Sequence, residues 1–443
     1  MKRRDLRKYL DAIKPQRPSW KNKNRYYYGY LKSFADFLVP TGKRVLEVPF
    51  GTLRLDKQEI PDLCDSYDYV VASDVLGYVH DIQQFFEGAA SLIPNDGRVV
   101  ITQYSALWEP ILRLASALRL RMPSMEQNWI SIIDLKNFAS LAGLETVKSG
   151  TKLLFPKYVP LLSLFLNKIL ANLWPFSRLG VFHYLVLRKQ NTGVESSDKI
   201  GAVRPSLSVV VPARNEAGTI EKIVRLLPEL GSFTEIVFIE GNSTDDTWQE
   251  INRVAEAYKG KRRIQIAQQQ GKGKGDAVRK GFEMATGDVL TIYDADMTVP
   301  PEEVEHFYNT LVSRKGDFIN GSRLVYPLEE ESMRMLNLFA NKFFGFAFSA
   351  ILGQPIKDTL CGSKMIWRKD YDDLQKGRSF FGNFDPFGDF DLLFGAAKLN
   401  LKIIDLPVHY QRRTYGTTNI SRWKHGWLLL KMTIFAARKL KLV

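Results

Sequence analysis

Between residues 206 and 299 the chain repeats one pattern: a short apolar run ends in a polar or charged turn, and a helix-like stretch follows. LSVVVPARNE, EIVFIEGNSTDDT, residues 263–267 running into QQQGKGKGDAVRKGF, and LTIYDADMTV are its instances. Unbroken apolar runs of this length fit strands covered on both faces, and strands that each stop in a polar loop before a helix build a parallel sheet. Such sheets bind ligands beyond the carboxyl ends of their strands, so the polar residues there are where function is sought.

The last run is the most informative. Residues 289–293 predict a buried strand, and Asp294 and Asp296 stand where it leaves the sheet, separated only by Ala295. Side chains alternate along an extended backbone, so the two carboxylates lean over one rim. Like charges held that close repel unless something positive joins them. Magnesium or manganese bridging to a diphosphate meets that need with hard oxygen ligands. A solvated turn explains an isolated Asp pair equally well, and the neighbouring motifs decide between the two. One of them is the glycine turn at Gly271, Gly273 and Gly275, which carries Lys272 and Lys274 just before a helix N-terminus. That combination suits a diphosphate, although the spacing is not that of a P-loop.

The 443 residues suggest two or three domains, and the formal charge of +14 points to anionic partners such as lipid or phosphorylated substrates. No nucleic-acid-binding module is recognisable, so no nucleic acid is expected. Cys64 and Cys361 stand far apart, which argues against a disulfide framework or a zinc site. The basic N-terminus has no apolar core or cleavage site of a secretory signal. No window is apolar enough to span a bilayer, and residues 158–174 and 427–437 read as amphipathic helices, packed on the protein or lying at a membrane surface. The expectation is a cytoplasmic protein, with peripheral attachment to the inner face of a membrane left open.

In order, residues 1–40 form a basic lead-in, and residues 41–190 alternate strand and helix signals that predict a small α/β layer. A buried strand is expected in RVLEVPFGTL. Within this stretch YDYVVASDVLGYVHD, RVVITQ and NWISIIDLKNFASLAGLETVKSG resemble the middle and later parts of a class I S-adenosylmethionine-dependent methyltransferase. VLEVPFGTL lies where that family has its glycine-rich cofactor loop. Gly51 is retained, but Pro49 and Leu53 replace residues that let the backbone approach the cofactor, and no ribose-binding acid has room to follow. The resemblance therefore implies a shortened Rossmann-like domain with an incomplete S-adenosylmethionine site and a structural or docking role. Residues 191–205 read as a linker.

From Ser206 onward the ordered strand ends resemble family 2 glycosyltransferases, most closely the dolichyl- and polyprenyl-phosphate sugar synthases. The resemblance implies a GT-A fold over residues 206–415, a nucleoside-diphosphate sugar donor, Mg2+ or Mn2+, and an inverting displacement onto a polyprenyl phosphate or a glycan. Pro212, Arg214, Glu216 and Glu240 fall where the family holds the nucleoside, and Asp294 and Asp296 fall on its metal and diphosphate motif. Lys272 and Lys274 then belong to the donor site. Arg323, in Gly321-Ser322-Arg323, matches a phosphate-neutralising arginine, and Arg334 a further one. DTLCGSK, with Asp358, Cys361 and Gly362, resembles the acceptor-side loop, and FGDFDLLFGAAKLN places Asp389 and Asp391 near the reacting sugar. RRTYGTTNIS resembles the family's Arg-x-x-Gly-x-Ser-Lys loop, with Arg413, Gly416 and Thr418 at its key positions. Asp296, Asp389, Asp391 and Arg413 are the expected catalytic residues. Thr298 and Asn419 depart from the family's Gln and Lys, leaving the reaction class but not the donor base or acceptor contacts assigned. Residues 416–443 contain no acid and have the composition of an interfacial helix, packing on the core being the alternative.

Overall fold

The computed structural model describes residues 3–122, 127–173, 175–190, 204–324, 335–380, 388–413, 415 and 422–442. The linker expected at 191–205 lies outside them up to residue 203. The chain divides into two compact units, residues 1–190 with 441–443 and residues 191–440.

The N-terminal unit is built on strands β1 (Val45–Glu47), β2 (Tyr69–Ser73), β3 (Arg98–Tyr104), β4 (Leu144–Lys152) and β5 (Phe182–Lys189). Their order is β1-β2-β3-β5-β4, parallel from β1 to β3 and antiparallel beyond. Helices α1 (Arg3–Ile13), α2 (Arg17–Lys23) and α3 (Arg25–Leu38) precede the sheet, and α4 (Ile82–Ser91), α5 (Glu109–Ala117) and α6 (Ile132–Leu141) follow its first strands. The strand alternation splits the apolar side chains between two cores. Val71, Val100 and Val186 meet Leu31 and Phe34 of α3, while Val70, Ile101 and Leu185 meet Phe85 and Phe86 of α4 and Leu135 of α6. Asp81 caps α4 by accepting from Gln84 N, and Ser131 with Asp134 forms a capping box on α6.

One expectation fails here. The first strand is not buried: β1 is three residues long at the sheet edge, with only Leu46 inward. A hydrophobic run cannot by itself distinguish an edge from a centre. Gly51 has φ +84°, and a Cβ there would lie 2.9 Å from Lys14 Cε, while the Arg17 guanidinium sits 3.8 Å over the Phe50 ring. The protein's own N-terminal segment thus covers the loop that a methyltransferase keeps open to its cofactor.

The C-terminal unit has seven strands: β6 (Leu207–Ala213), β7 (Thr234–Glu240), β8 (Arg263–Gln268), β9 (Val289–Ile292), β10 (Phe318–Ser322), β11 (Lys364–Trp367) and β12 (Ile403–Pro407). Their order is β12-β10-β11-β9-β6-β7-β8, with only β11 antiparallel to its neighbours. On one face pack α7 (Ile220–Leu226), α8 (Thr247–Ala257) and α10 (Glu303–Val312); on the other pack α9 (Lys274–Met284), α11 (Met335–Leu352), α13 (Asp389–Lys398) and α14 (Arg422–Ala436). Helix α12 (Arg368–Lys376) follows β11. In α14 Leu429, Met432 and Ala436 are buried in the core, so that stretch of the tail packs on its own unit and leaves Trp427 and Ile434 outside. No described helix is long and apolar enough to cross a membrane.

The strand order fixes the site. From β6 the chain runs outward to β7 and β8, then returns to place β9 on the other side of β6. This reversal opens a crevice between the loops after β6 and β9, where open α/β sheets bind ligands.

Candidate active site

The loop after β6 carries Arg214, Asn215 and Glu216, and the loop after β9 carries Asp294 and Asp296. Asn215 and Met297 adopt φ of +57° and +51°, values that a tight turn imposes and that few side chains adopt readily. Glu216 N donates to Thr247 Oγ1, and Asn215 Oδ1 accepts from Thr244 N, so α8 and the loop before it hold the β6 loop in place. Thr298, through its amide and hydroxyl, donates to Asp296 Oδ1. The Thr that replaces the family's Gln therefore orients an acid.

Two cations meet the two acids. Lys274, in the first turn of α9, lies 2.6 Å from Asp294, and Arg413 Nη2 donates to Asp296 Oδ2 at 2.7 Å. Arg413 Nη1 also donates to Glu216 Oε1 at 2.9 Å, so one guanidinium ties the β6 loop to the β9 loop. Tyr415 continues this cover: a Cβ on Gly218 would fall 2.5 Å from its ring, and its hydroxyl lies 3.3 Å from Asp245 Oδ2. Electrostatics follow from the crowding. Burial pushes the Asp294 carboxyl up, but Lys274, then Lys364 and Arg323, outweigh it and hold it below the usual carboxylate range. At Glu216 burial wins: Arg413 opposes it, Asp296, Asp245 and Asp294 reinforce it, and the carboxyl is pushed up to about 7.

The donor set fits a divalent ion. Asp294 and Asp296 are hard oxygen ligands on one rim, the side chain of Asp294 is 34% exposed, and the buried Glu216 Oε2 has no hydrogen-bond partner among the described residues. No group of three or more His, Cys, Asp or Glu residues suited to a metal occurs among the described residues. Two carboxylates with substrate phosphates and water are the usual magnesium arrangement.

Gly362 makes the close approach possible. A Cβ there would lie 2.0 Å from Asp294 Oδ2 and 2.4 Å from Lys274 Nζ. Gly362→Ala is expected to displace both groups while leaving the fold intact, since the clashing atoms are side-chain ends. Calorimetric titration of a nucleoside diphosphate in manganese should show affinity falling by about tenfold or more, and unchanged affinity would detach Gly362 from the site.

Other expected residues sit differently. Arg323 is held by an acid: its Nε and Nη2 donate to Asp358 at 2.7 and 2.9 Å, its guanidinium lies 5.2 Å from the Tyr410 ring centre, and its charge acts on Asp294. Glu240 is buried, with Oε1 accepting from Ser243 N and Oε2 from Gln268 Nε2, so it shapes the turn from within. The glycine turn is already partly filled, because Gly271 N donates to Asp276 Oδ2 at 2.9 Å; Lys272 is exposed. Pro212, the last residue but one of β6, is half-buried, and Arg214 in the loop that follows is exposed. Asp391 is buried, 3.7 Å from both Arg279 of α9 and Arg378. Asp389 opens α13, where a Cβ on Gly388 would lie 2.7 Å from Gly275 Cα, so this helix start abuts that of α9. The side chain of Asp389, and Arg334, Gly416, Thr418 and Asn419, lie outside the described residues.

Lys364, which from sequence alone reads as packing or solvated and not as a site residue, has a buried side chain that donates to Cys361 O while its charge acts on Asp294. A lysine opening the apolar strand KMIW was the available signal. Beside the site Pro300, Glu302, His306, Tyr410 and Gln411 line a groove of about 410 Å³, with His409 Nδ1 2.7 Å from Glu303 Oε1.

Residues 208–375 match the glycosyl transferase family 2 model, and residues 47–149 match a methyltransferase domain model. The chain is 27% identical to the glycosyltransferase AglD of Haloferax volcanii, over 48% of this chain and 34% of that protein. It is 26% identical to AglJ of the same organism, over 51% of this chain and 69% of that one. It is 31% identical to a dolichol-phosphate mannosyltransferase of Pyrococcus furiosus, over 27% of this chain and 33% of that enzyme. Among solved structures, glucosyl-3-phosphoglycerate synthase from Mycobacterium tuberculosis, in complex with Mn2+, UDP and glucosyl-3-phosphoglycerate, is 19% identical. That match covers 56% of this chain and 84% of that one, with a TM-score of 0.39.

Proposed function

We propose that this chain, which joins a methyltransferase-like domain to a family 2 glycosyltransferase domain, transfers a hexosyl group from a nucleoside-diphosphate sugar to a polyprenyl phosphate. The observation that carries the reading is the meeting of Glu216, Lys274, Asp294, Asp296 and Arg413 at the point where the strand order reverses. Pro212, Arg214 and Glu216 line the nucleoside side. Asp294 and Asp296 would hold Mg2+ or Mn2+, which when bound neutralises the diphosphate and favours its departure.

The step is an inverting displacement. An acceptor oxygen attacks the anomeric carbon, the bond from that carbon to the diphosphate oxygen breaks, and the nucleoside diphosphate leaves with the electron pair. Lys274 balances the charge that builds on the leaving group, the electrostatic contribution that usually dominates such catalysis. Arg413 has the planar fork that suits an anionic acceptor, and donor binding would draw it from its two carboxylates toward that acceptor. A phosphate acceptor is already ionised near neutral pH and needs no base. The pairing of Asp391 with two arginines makes it a poor base and supports that choice over a hydroxyl acceptor whose proton Asp391 would take. The similarity to a dolichol-phosphate mannosyltransferase supports the same acceptor class. A polyprenyl-phosphate acceptor would keep the work in the cytoplasm, at the inner face of a membrane.

A melting-temperature screen of nucleoside diphosphates tests the donor half. One base should raise the midpoint by roughly 5–10 °C at a hundredfold excess over its Kd, and only with manganese present. If no diphosphate shifts the midpoint under either condition, the donor assignment fails.

A further inference from the structure

The N-terminal unit carries a surface turned inside out. In the described part of residues 158–179 the uncharged polar side chains of Ser163 and Asn167 face the protein, and large apolar ones face solvent. Asn167 is 1% exposed: its Oδ1 accepts from Leu154 N and Phe155 N, and its Nδ2 donates to Phe155 O and Tyr26 Oη. Ser163 is buried likewise, donating to Lys157 O and accepting from Val159 N. Leu161, by contrast, is 83% exposed at the tip with φ +62°, and Tyr158, Leu164, Phe165 and Leu173 are exposed beside it. A second stretch continues the pattern. Leu107, Ile111, Leu114 and Leu118, at helical spacing through α5, are all exposed, and Trp108 Nε1 donates to Leu179 O at 2.7 Å, joining the two stretches. Soluble proteins rarely leave so many large apolar groups together in water.

The charge at its border selects the partner. Residues 153–180 contain no acid, and Lys157, Lys168 and Arg178 are exposed within them; on the second stretch Arg119 is exposed, while Arg113 pairs with Glu109, the one acid there. Leucine and aromatic tips with long cationic side chains at their margin are the composition of a segment that lies in the interface of an anionic bilayer. A protein partner would be expected to meet polar groups of both signs. We propose that residues 107–120, 158–173 and 175–179 form a membrane-docking face, seating the methyltransferase-like unit on anionic lipid. The docking stands on this unit alone and requires nothing of the transfer chemistry.

Flotation of the full chain on vesicles tests it. On phosphatidylcholine containing phosphatidylglycerol the wild type should float, with the bound fraction falling as salt screens the headgroups. The double variant L161E/F165E should lose vesicle partition by about tenfold or more, because both side chains already lie in water and only lipid contact is removed. Reversing charge with K168E/R178E should weaken binding to the anionic vesicles and leave binding to pure phosphatidylcholine as it was. The variants should keep the wild-type melting temperature and its response to nucleoside diphosphate with manganese, which separates loss of docking from failure of the donor site. The proposal is overturned if the wild type stays with the soluble fraction on both vesicles, or if L161E/F165E floats like wild type. It is equally overturned if L161E/F165E turns a dimer into a monomer in light scattering while flotation is unchanged, since a second copy would then be the occupant.

Discussion

Asp294→Asn lowers sugar transfer by about a hundred- to a thousandfold while the protein melts within a few degrees of wild type. One carboxylate has two roles here. In the protein as described, Asp294 is paired with Lys274 in a partly exposed position, so water screens much of what its charge adds to folding. Toward a donor its charge is the part that matters, because it shares with Asp296 the holding of a cation against a diphosphate. The amide keeps the shape and removes the charge, and Lys274 then faces the diphosphate without its counter-ion. Steady-state kinetics should show kcat/KM falling and the apparent requirement for manganese rising. A variant that turns over at the wild-type rate would remove the metal from Asp294 and the sugar-transfer reading with it. A variant that does not fold would show that the Lys274 pair supports the structure, and Asp296→Asn would then carry the test.

Local chemistry was legible where a residue acts next to its neighbours in sequence. The apolar runs ending in polar turns became β6 through β9 because a run of Val, Ile and Leu bounded by turn residues has few alternatives to a covered strand. Two acids one residue apart came to one rim for the same local reason. Partners far apart in sequence were not legible. Nothing in Gly321-Ser322-Arg323 says that an aspartate 35 residues later will take the guanidinium, or that Glu240 will be satisfied by Gln268 on the next strand. The direction of residues 158–174 was equally hidden. Their composition predicts an amphipathic segment, but whether Asn167 or Phe165 faces water depends on the backbone amides of Leu154 and Phe155, which only the fold brings under it.

The distant pair sets the second large effect: Asp358→Ala lowers stability by about 3–5 kcal/mol. Asp358 is fully buried and accepts from Arg323 Nε, Nη2 and N and from Leu360 N, so its removal leaves a guanidinium, itself mostly buried, without its counter-charge. In a unit of this size the midpoint should fall by roughly 6–20 °C. The sign with pH follows from the same contacts. Burial alone would raise the Asp358 carboxyl, but the charge and hydrogen bonds of Arg323 outweigh it, so the folded pKa lies below the unfolded one. Its stabilisation is therefore present above the unfolded value near ~4 and is lost as pH falls through the folded value. Acid titration of the wild type should show this loss, and Asp358→Ala should lack it. Replacing both partners with apolar residues, R323M/D358L, should recover most of the midpoint, because the cost lies in the stranded charge more than in the missing attraction. If the single variant melts within about 2 °C of wild type, the pair is not what holds β10 to the loop before β11.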